Sequence, residues 1–288
     1  MERHTKSYLQ LVKPGIVTSN VLTAIAGFFV AKSNHGFVVE NFLGVVIGIA
    51  FVIASACVVN NILDRNIDVR MKRTRGREVA SGSISVSHAA VFAVVLGTVG
   101  FGALAAWTNI IVFALGVIAY LWYIVVYAIA KRTTPLSTII GAVCGALPPV
   151  AGYATVTGVI DTTGIILFVL LMIWQLPHFY AISVFRKSDY EQANLPVWSV
   201  KYGAKSTKVQ IYFWVVIFTL ITPLLTLFGA TGYVYLVVMS VVNTYWLYQG
   251  AAYYNIDDDI KWARRMFGVS LVVLLTLCAM IAVGGYLP

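Results

Sequence analysis

Residues 42–78 read FLGVVIGIAFVIASACVVNNILDRNIDVRMKRTRGRE. The first 18, through Val59, are apolar and close to the length a helix needs to cross a bilayer. Asn60 and Asn61 follow at once, then Asp64 and Asp68, then Arg70, Lys72, Arg73, Arg75 and Arg77. The apolar part sets the fold class. The polar part sets the chemistry.

The rest of the chain repeats the apolar pattern. Of 288 residues, 60% are hydrophobic and only 11% charged, too few charges to cover a soluble surface. This predicts an all-α polytopic membrane protein with residues 1–288 forming a single intramembrane domain. The net charge of +9 fits positive-inside loops, so no nucleic-acid partner is expected. The N-terminal stretch MERHTKSYLQLVKPG lacks a short apolar core before a cleavage site and does not read as a signal peptide. Cys57, Cys144 and Cys278 lie far apart in apolar stretches, which argues against both a disulfide framework and a zinc site.

Nine spans are expected, at about 15–32, 41–63, 88–107, 109–130, 135–155, 163–185, 209–228, 232–252 and 267–287. Placing the N-terminus in the cytoplasm puts 19 of the 20 Lys and Arg on the inner side, leaving Lys32 outside. The C-terminus then lies on the outer side. The two long polar loops, about 64–87 and 186–208, both become cytoplasmic. Loops positioned by a rigid scaffold carry function, so the chemistry is sought at the cytoplasmic ends of the second and sixth spans. A bacterial-type inner membrane is the expected location.

Asn60, Asp64 and Asp68 are spaced i, i+4, i+8, and Asn61 precedes Asp64 by three. On a helix all four project from one broad face. Carboxylates at such a position are costly unless a cation or counter-charge meets them. Their hard oxygens suit Mg²⁺ completed by substrate phosphate. The basic run that follows offers guanidinium and ammonium groups for the remaining phosphate oxygens, although positive-inside topology alone also explains it.

The set NNILDRNID, KRTRGR and SG resembles the first Asp-rich motif of the intramembrane prenyltransferase superfamily, which includes 4-hydroxybenzoate polyprenyltransferase. The resemblance implies a nine-helix bundle that uses Mg²⁺ with a prenyl diphosphate. Its pattern commonly has Asn-Asp where this chain has Asn60-Asn61, so Asn61 offers only a neutral oxygen. After the sixth span, GAKST resembles the superfamily's second motif, but LPHFYA stands where most members carry several Asp. With the N-terminal KPGIV, this resembles the heme O synthase branch. That branch implies farnesyl diphosphate and heme B as substrates, and a downstream terminal oxidase or heme-processing partner.

The resemblance assigns roles residue by residue. Asn60, Asn61, Asp64 and Asp68, with Asp189 on the facing loop, would hold metal. Asp64, Asp68, Lys72 and Arg73 would be catalytic. Arg70, Lys72, Arg73, Arg75, Arg77, Lys187 and Lys205 would meet the diphosphate. His178, after the helix-kinking Pro177, would meet heme, with Gln175 three residues earlier on the same face. A hydrogen bond from His178 to a neighbouring helix is an equally open reading. Two other functions remain open as well: prenylation of an aromatic or quinone-precursor acceptor, which LPHF disfavours, and cation-coupled transport, which nine spans with one-sided long loops disfavour. The acids Asp257, Asp258 and Asp259 read as structural, at the start of the last helix. Lys13-Pro14-Gly15 reads as a turn into the first span; a reach of Lys13 into the site and plain positive-inside charge are both open readings of that lysine.

Overall fold

A computed structural model of the chain describes residues 2–32, 36–254 and 258–288, with backbone alone for 2–6 and 32. Asp257 and the side chain of Lys32, both given a reading above, lie outside the described residues. A short helix α1 (Glu2–Leu11) leads into α2 (Pro14–Lys32), α3 (Val39–Asp68) and α4 (Val86–Trp107). Next, α5 (Ile110–Leu121) continues through a π-helical turn at Trp122–Tyr127 into α6 (Ala128–Thr133). Then come α7 (Ser137–Thr157), α8 (Thr162–Phe185), α9 (Lys187–Gln192) and α10 (Trp198–Ile221). A single turn, α11 (Leu224–Leu227), precedes α12 (Tyr233–Ala252) and α13 (Asp259–Gly284). The described residues contain no strand.

Among the described residues, eight segments are long and apolar enough to cross a membrane: α2, α3, α4, α5 with α6, α7, α8, α10 with α11, and α13. The segment expected as the eighth of nine spans is α12, a helix of 20 residues. It is not among the eight, because Asn243, Gln249 and its tyrosines dilute the apolar character. Two expected loops are partly helical. α3 runs on to Asp68, and α10 begins at Trp198 with a break at Gly203, whose φ is 81°.

Side-chain caps close several turns. Asn109 Oδ1 accepts from the Ile111 and Val112 amides, both at 3.1 Å, while its Nδ2 donates to the Ala154 carbonyl at 2.7 Å. Asp161 caps α8 through the Thr163 and Gly164 amides and accepts the Tyr153 hydroxyl at 2.7 Å. Asp258 caps α13, and Asp259 pairs with buried Lys208 at 2.9 Å. Those two acids are structural, as the sequence suggests.

Glycine lets α2 and α7 touch at the backbone. A Cβ on Gly27 would lie 2.0 Å from the Pro149 carbonyl oxygen, and one on Gly152 would lie 1.9 Å from that of Ala24. α7 thus joins two apolar cores, one shared with α8, α10, α12 and α13, the other with α3, α4 and α5. Gly27→Val should cost about 2–3 kcal/mol or more by overpacking, read as a lower unfolding midpoint in detergent. Gly102→Ala, with open space around it, should not lower the midpoint and should raise it slightly, since alanine is the better helix former.

Candidate functional site

The polar end of α3 is buried, with Asp64 8% and Asp68 1% exposed. A buried carboxylate requires partners, and each has them. Asp64 Oδ2 accepts from Asn60 Nδ2 at 2.9 Å and from Lys131 Nζ, while Oδ1 accepts from Arg132 at 3.1 Å. One Arg77 nitrogen donates to both oxygens of Asp68 at 2.9 Å. The basic loop turns back to make this pair possible: the Thr74 hydroxyl donates to the Asp68 carbonyl at 3.0 Å, and the Arg77 amide to the Thr74 carbonyl at 2.9 Å.

The junction of α1 and α2 completes the centre. Lys13 takes a left-handed backbone, φ 53°, and its ammonium donates to Asn60 Oδ1 at 2.7 Å. Burial pushes Lys13 down to about 8, with the Arg77 charge adding to the shift and Asp64 and Asp68 opposing it, so it stays largely charged at neutral pH. Asn61 points elsewhere. Its Nδ2 donates to the Leu11 carbonyl at 2.9 Å and the Cys57 carbonyl at 3.0 Å, and its Oδ1 is buried without a partner. Asn60 therefore serves the acidic centre, and Asn61 tethers the end of α1.

The charges do not balance. Two carboxylates, Asp64 and Asp68, face four cations, Lys13, Arg77, Lys131 and Arg132. Two positive charges are left over beside partly buried groups, where charges act more strongly than in water. An excess of positive charge of this kind is complementary to a multivalent anion.

The second long loop closes on the first. Ala193, Leu195 and Val197 pack on Met71, with Ile67 and Tyr190 against them. Tyr190 lies within electrostatic reach of Arg73, Arg77 and Tyr127; burial pushes its phenol up and the Arg73 charge pulls it partly back. Asp189 is buried on α9. Lys187 instead pairs with Glu191 at 3.4 Å, and Lys205 is exposed. Arg70, Lys72, Arg73 and Arg75 are exposed as well, so Arg77 is the residue of the basic run that meets an acid of the motif.

The expected metal set is not assembled as one shell. Among the described residues no three His, Cys, Asp or Glu side chains are grouped to hold a metal ion. Asn61 is drawn to α1, Asp64 and Asp68 to cations, and Asp189 stands on α9. The donor chemistry still fits a divalent ion that substrate oxygens complete. Asp64 and Asp68 are hard oxygen donors one turn apart, and Asn60 offers a third.

His178 is boxed by aromatic rings, 4.9 Å from Trp174, 4.7 Å from Phe267 and 5.2 Å from Phe179. Its Nδ1 lies 2.8 Å from Ser270 Oγ, which donates its own hydrogen to the Phe267 carbonyl at 2.6 Å. Nδ1 must then be the donor, leaving a lone pair on Nε2. The helix-to-helix bond weighed from the sequence is thus present, and it fixes the tautomer. Gln175 turns to α7 instead, donating to the Leu171 and Ala142 carbonyls at 2.9 and 3.3 Å. Despite their spacing, His178 and Gln175 serve different neighbours.

Lys131 and Arg132 escape sequence reasoning because a basic pair at a span end reads as topology. Tyr127, 5.5 Å below the Lys131 ammonium, has no sequence signal either. Lys131→Met should destabilise the fold by about 3–5 kcal/mol, since it strips a buried carboxylate of a partner. Adding Asp64→Asn should recover part of that loss in a thermal-unfolding double-mutant cycle. Nitrogen NMR of His178 should show the Nδ1–H tautomer, and Ser270→Ala should shift it toward Nε2–H.

Three comparisons bear on this site. A profile of the UbiA prenyltransferase family matches residues 20–283. A protoheme IX farnesyltransferase from Blochmanniella floridana is 39% identical over 275 residues, 94% of each chain. One from Citrobacter koseri is 39% identical over 284 residues, 98% of this chain and 96% of that one. Among solved structures, one described as digeranylgeranylglyceryl phosphate synthase superposes with a TM-score of 0.79 at 20% identity, covering 99% of both chains. A UbiA homologue from Archaeoglobus fulgidus bound to GPP and Mg²⁺ superposes at 0.68 with 15% identity, covering 96% of this chain and 99% of that one.

Proposed function

The chain belongs to the UbiA prenyltransferase family, and from that premise we propose that it moves the farnesyl group of farnesyl diphosphate onto a vinyl group of heme B. Water adds, and the products are heme O and diphosphate. The names of the relatives support the acceptor and donor. The observation that carries the reading is the buried centre in which Asp64 and Asp68 meet Lys13, Arg77, Lys131 and Arg132.

The chemistry follows from that pairing. Lys131, Arg132 and Arg77 turn from the carboxylates to the diphosphate oxygens, and Lys13 adds a fourth positive charge. Asp64, Asp68 and Asn60 are the residues that would hold Mg²⁺, which would supply further charge stabilisation to the departing diphosphate. The farnesyl C–O bond breaks with its electron pair going to diphosphate. The vinyl terminus attacks the allylic cation, and water takes up the new cation and loses a proton. The exposed Arg70, Lys72, Arg73 and Arg75, with Lys187 and Lys205 beyond them, gather the anion. Asp189 and Tyr190 close the site from α9. His178, with its free Nε2 lone pair, meets the heme side, and Gln175, on the same helix, meets the heme edge.

The charge distribution supports nine spans with α12 as the eighth and α13 as the ninth, the N-terminus in the cytoplasm and the C-terminus outside. The acidic centre then faces the cytoplasm of a bacterial inner membrane.

Purified protein in lipid nanodiscs, given farnesyl diphosphate, heme B and Mg²⁺, should form heme O detectable by mass. Turnover of a phenolic acceptor without heme O would instead assign an aromatic acceptor. Asp64→Asn should lower kcat/KM by about 10²–10³-fold; near-normal turnover would remove its metal role. His178→Ala should raise KM for heme more than KM for farnesyl diphosphate.

A further inference from the structure

The C-terminal end of α8 meets the start of α13 along a seam that holds none of the residues of the acidic centre. Phe185, His178 and Trp174 follow one another along α8 at helical spacing and share one face. Arg264, Phe267 and Ser270 do the same on α13. The two rows meet at Phe185 and Phe267, whose ring centres are 5.6 Å apart, and again at His178 and Ser270. At the end of the seam two guanidinium groups share one ring. Arg186 lies 5.7 Å and Arg264 6.0 Å from the centre of Phe185. Both are exposed, and among the described residues neither is paired with a carboxylate. Two like charges around one ring repel each other, and their planar forks match a pair of carboxylates.

Deeper in the seam, His178 presents Nε2. Its Nδ1 hydrogen is committed to Ser270, so Nε2 carries the lone pair. Four buried side-chain atoms among the described residues are sealed without a partner, and Nε2 is not one of them. The residue keeps 8% of its surface exposed, which leaves a way in. Phe179 beside it is largely exposed, and Gly268, one turn beyond Arg264, leaves open space where a side chain would stand. The helical rise puts His178 about 12 Å from Arg186 along α8. Side chains on a helix lean toward its N-terminus, so Arg186 leans back over that distance.

We propose that this seam is the acceptor site: His178 Nε2 ligates the heme iron, while Arg186 and Arg264 hold the two propionates. The proposal rests on the heme acceptor inferred above and gives that acceptor residues outside the acidic centre. Heme B carries both propionates on one edge and both vinyl groups on the opposite one. Holding the propionates at the end of α8 turns the vinyl edge toward the middle of the bundle. A neutral imidazole suits heme iron, and Phe185, Phe267 and Phe179 give the macrocycle an apolar wall. A phenolic acceptor has neither a metal nor paired carboxylates, so the same groups select heme against it.

The test separates the edge from the iron. The full chain in phosphatidylcholine nanodiscs is titrated with heme B, its dimethyl ester and iron-free protoporphyrin IX, each corrected for partition into empty discs. Heme B should bind about 100-fold more tightly than the ester, at about tenfold for each charge-assisted hydrogen bond. Arg186→Gln and Arg264→Gln should each weaken heme B about tenfold and leave the ester unchanged. Both residues are exposed, so this result does not depend on a core substitution that disturbs folding. His178→Ala should shift the absorbance band of bound heme and weaken heme B, with protoporphyrin IX binding as before. Added imidazole should restore the band. Binding of farnesyl thiodiphosphate should be unchanged in all of these variants. Equal affinity for heme B and its ester, arginine variants that bind heme B like the wild type, or a band unmoved by His178→Ala would each overturn the proposal, while heme O formation would still uphold the function. No binding of heme B together with no heme O would overturn both.

Discussion

Asp64 closes an apolar helix with its two oxygens shared among Asn60, Lys131 and Arg132, and the architecture around the two long loops depends on that knot. A lone carboxylate at this depth would protonate or draw in water. Meeting it with cations from the end of α6 fixes α3 against the fourth spanning segment. Arg77 does the same for Asp68 and folds the basic loop back over the helix end. Lys13 and Asn61 then attach the α1–α2 junction to the same turn of α3. The second long loop packs its apolar side chains on Met71. Four separate stretches of chain therefore meet around one pair of acids.

The scaffold beneath is built for close approach. Gly27 and Gly152 bring α2 and α7 into backbone contact, and α7 is shared between the two apolar cores. In a lipid solvent, packing of this kind replaces the hydrophobic drive available in water. It gives the loop end a rigid base, which the buried ion pairs need. A buried pair gains only when its geometry is held and its remaining lone pairs are met.

Much of this was legible in the residues, for reasons that also mark the limit. Apolar length gave the helices, and acids on an apolar helix stood out because they are costly there. Asn60 and Asn61 look alike in sequence, yet neighbouring residues on a helix point about 100° apart, so one meets Asp64 and the other Leu11. Lys131 and Arg132 were hidden because topology and chemistry ask for the same residue types at a span end. Lys187 and Lys205 lie close to the second motif in sequence, yet Lys187 pairs with Glu191 and Lys205 is exposed, so neither pairs with Asp64 or Asp68. The bond of His178 to Ser270 spans 92 residues, beyond any local pattern. α12 shows the limit of hydropathy, because its inward Asn243 and Gln249 lower the apolar signal of a helix packed in the bundle.

The central claim is that Asp64 and Asp68 exchange their cation partners for Mg²⁺ as the cations take the diphosphate. The most direct measurement is calorimetric binding of a non-hydrolysable farnesyl thiodiphosphate, with and without Mg²⁺, to the wild-type chain and to the Asp64→Asn, Asp68→Asn double variant. The exchange predicts that Mg²⁺ tightens binding at least about tenfold in the wild type, roughly 1.4 kcal/mol, and has no effect in the variant. Equal affinity with and without Mg²⁺ in the wild type would contradict it.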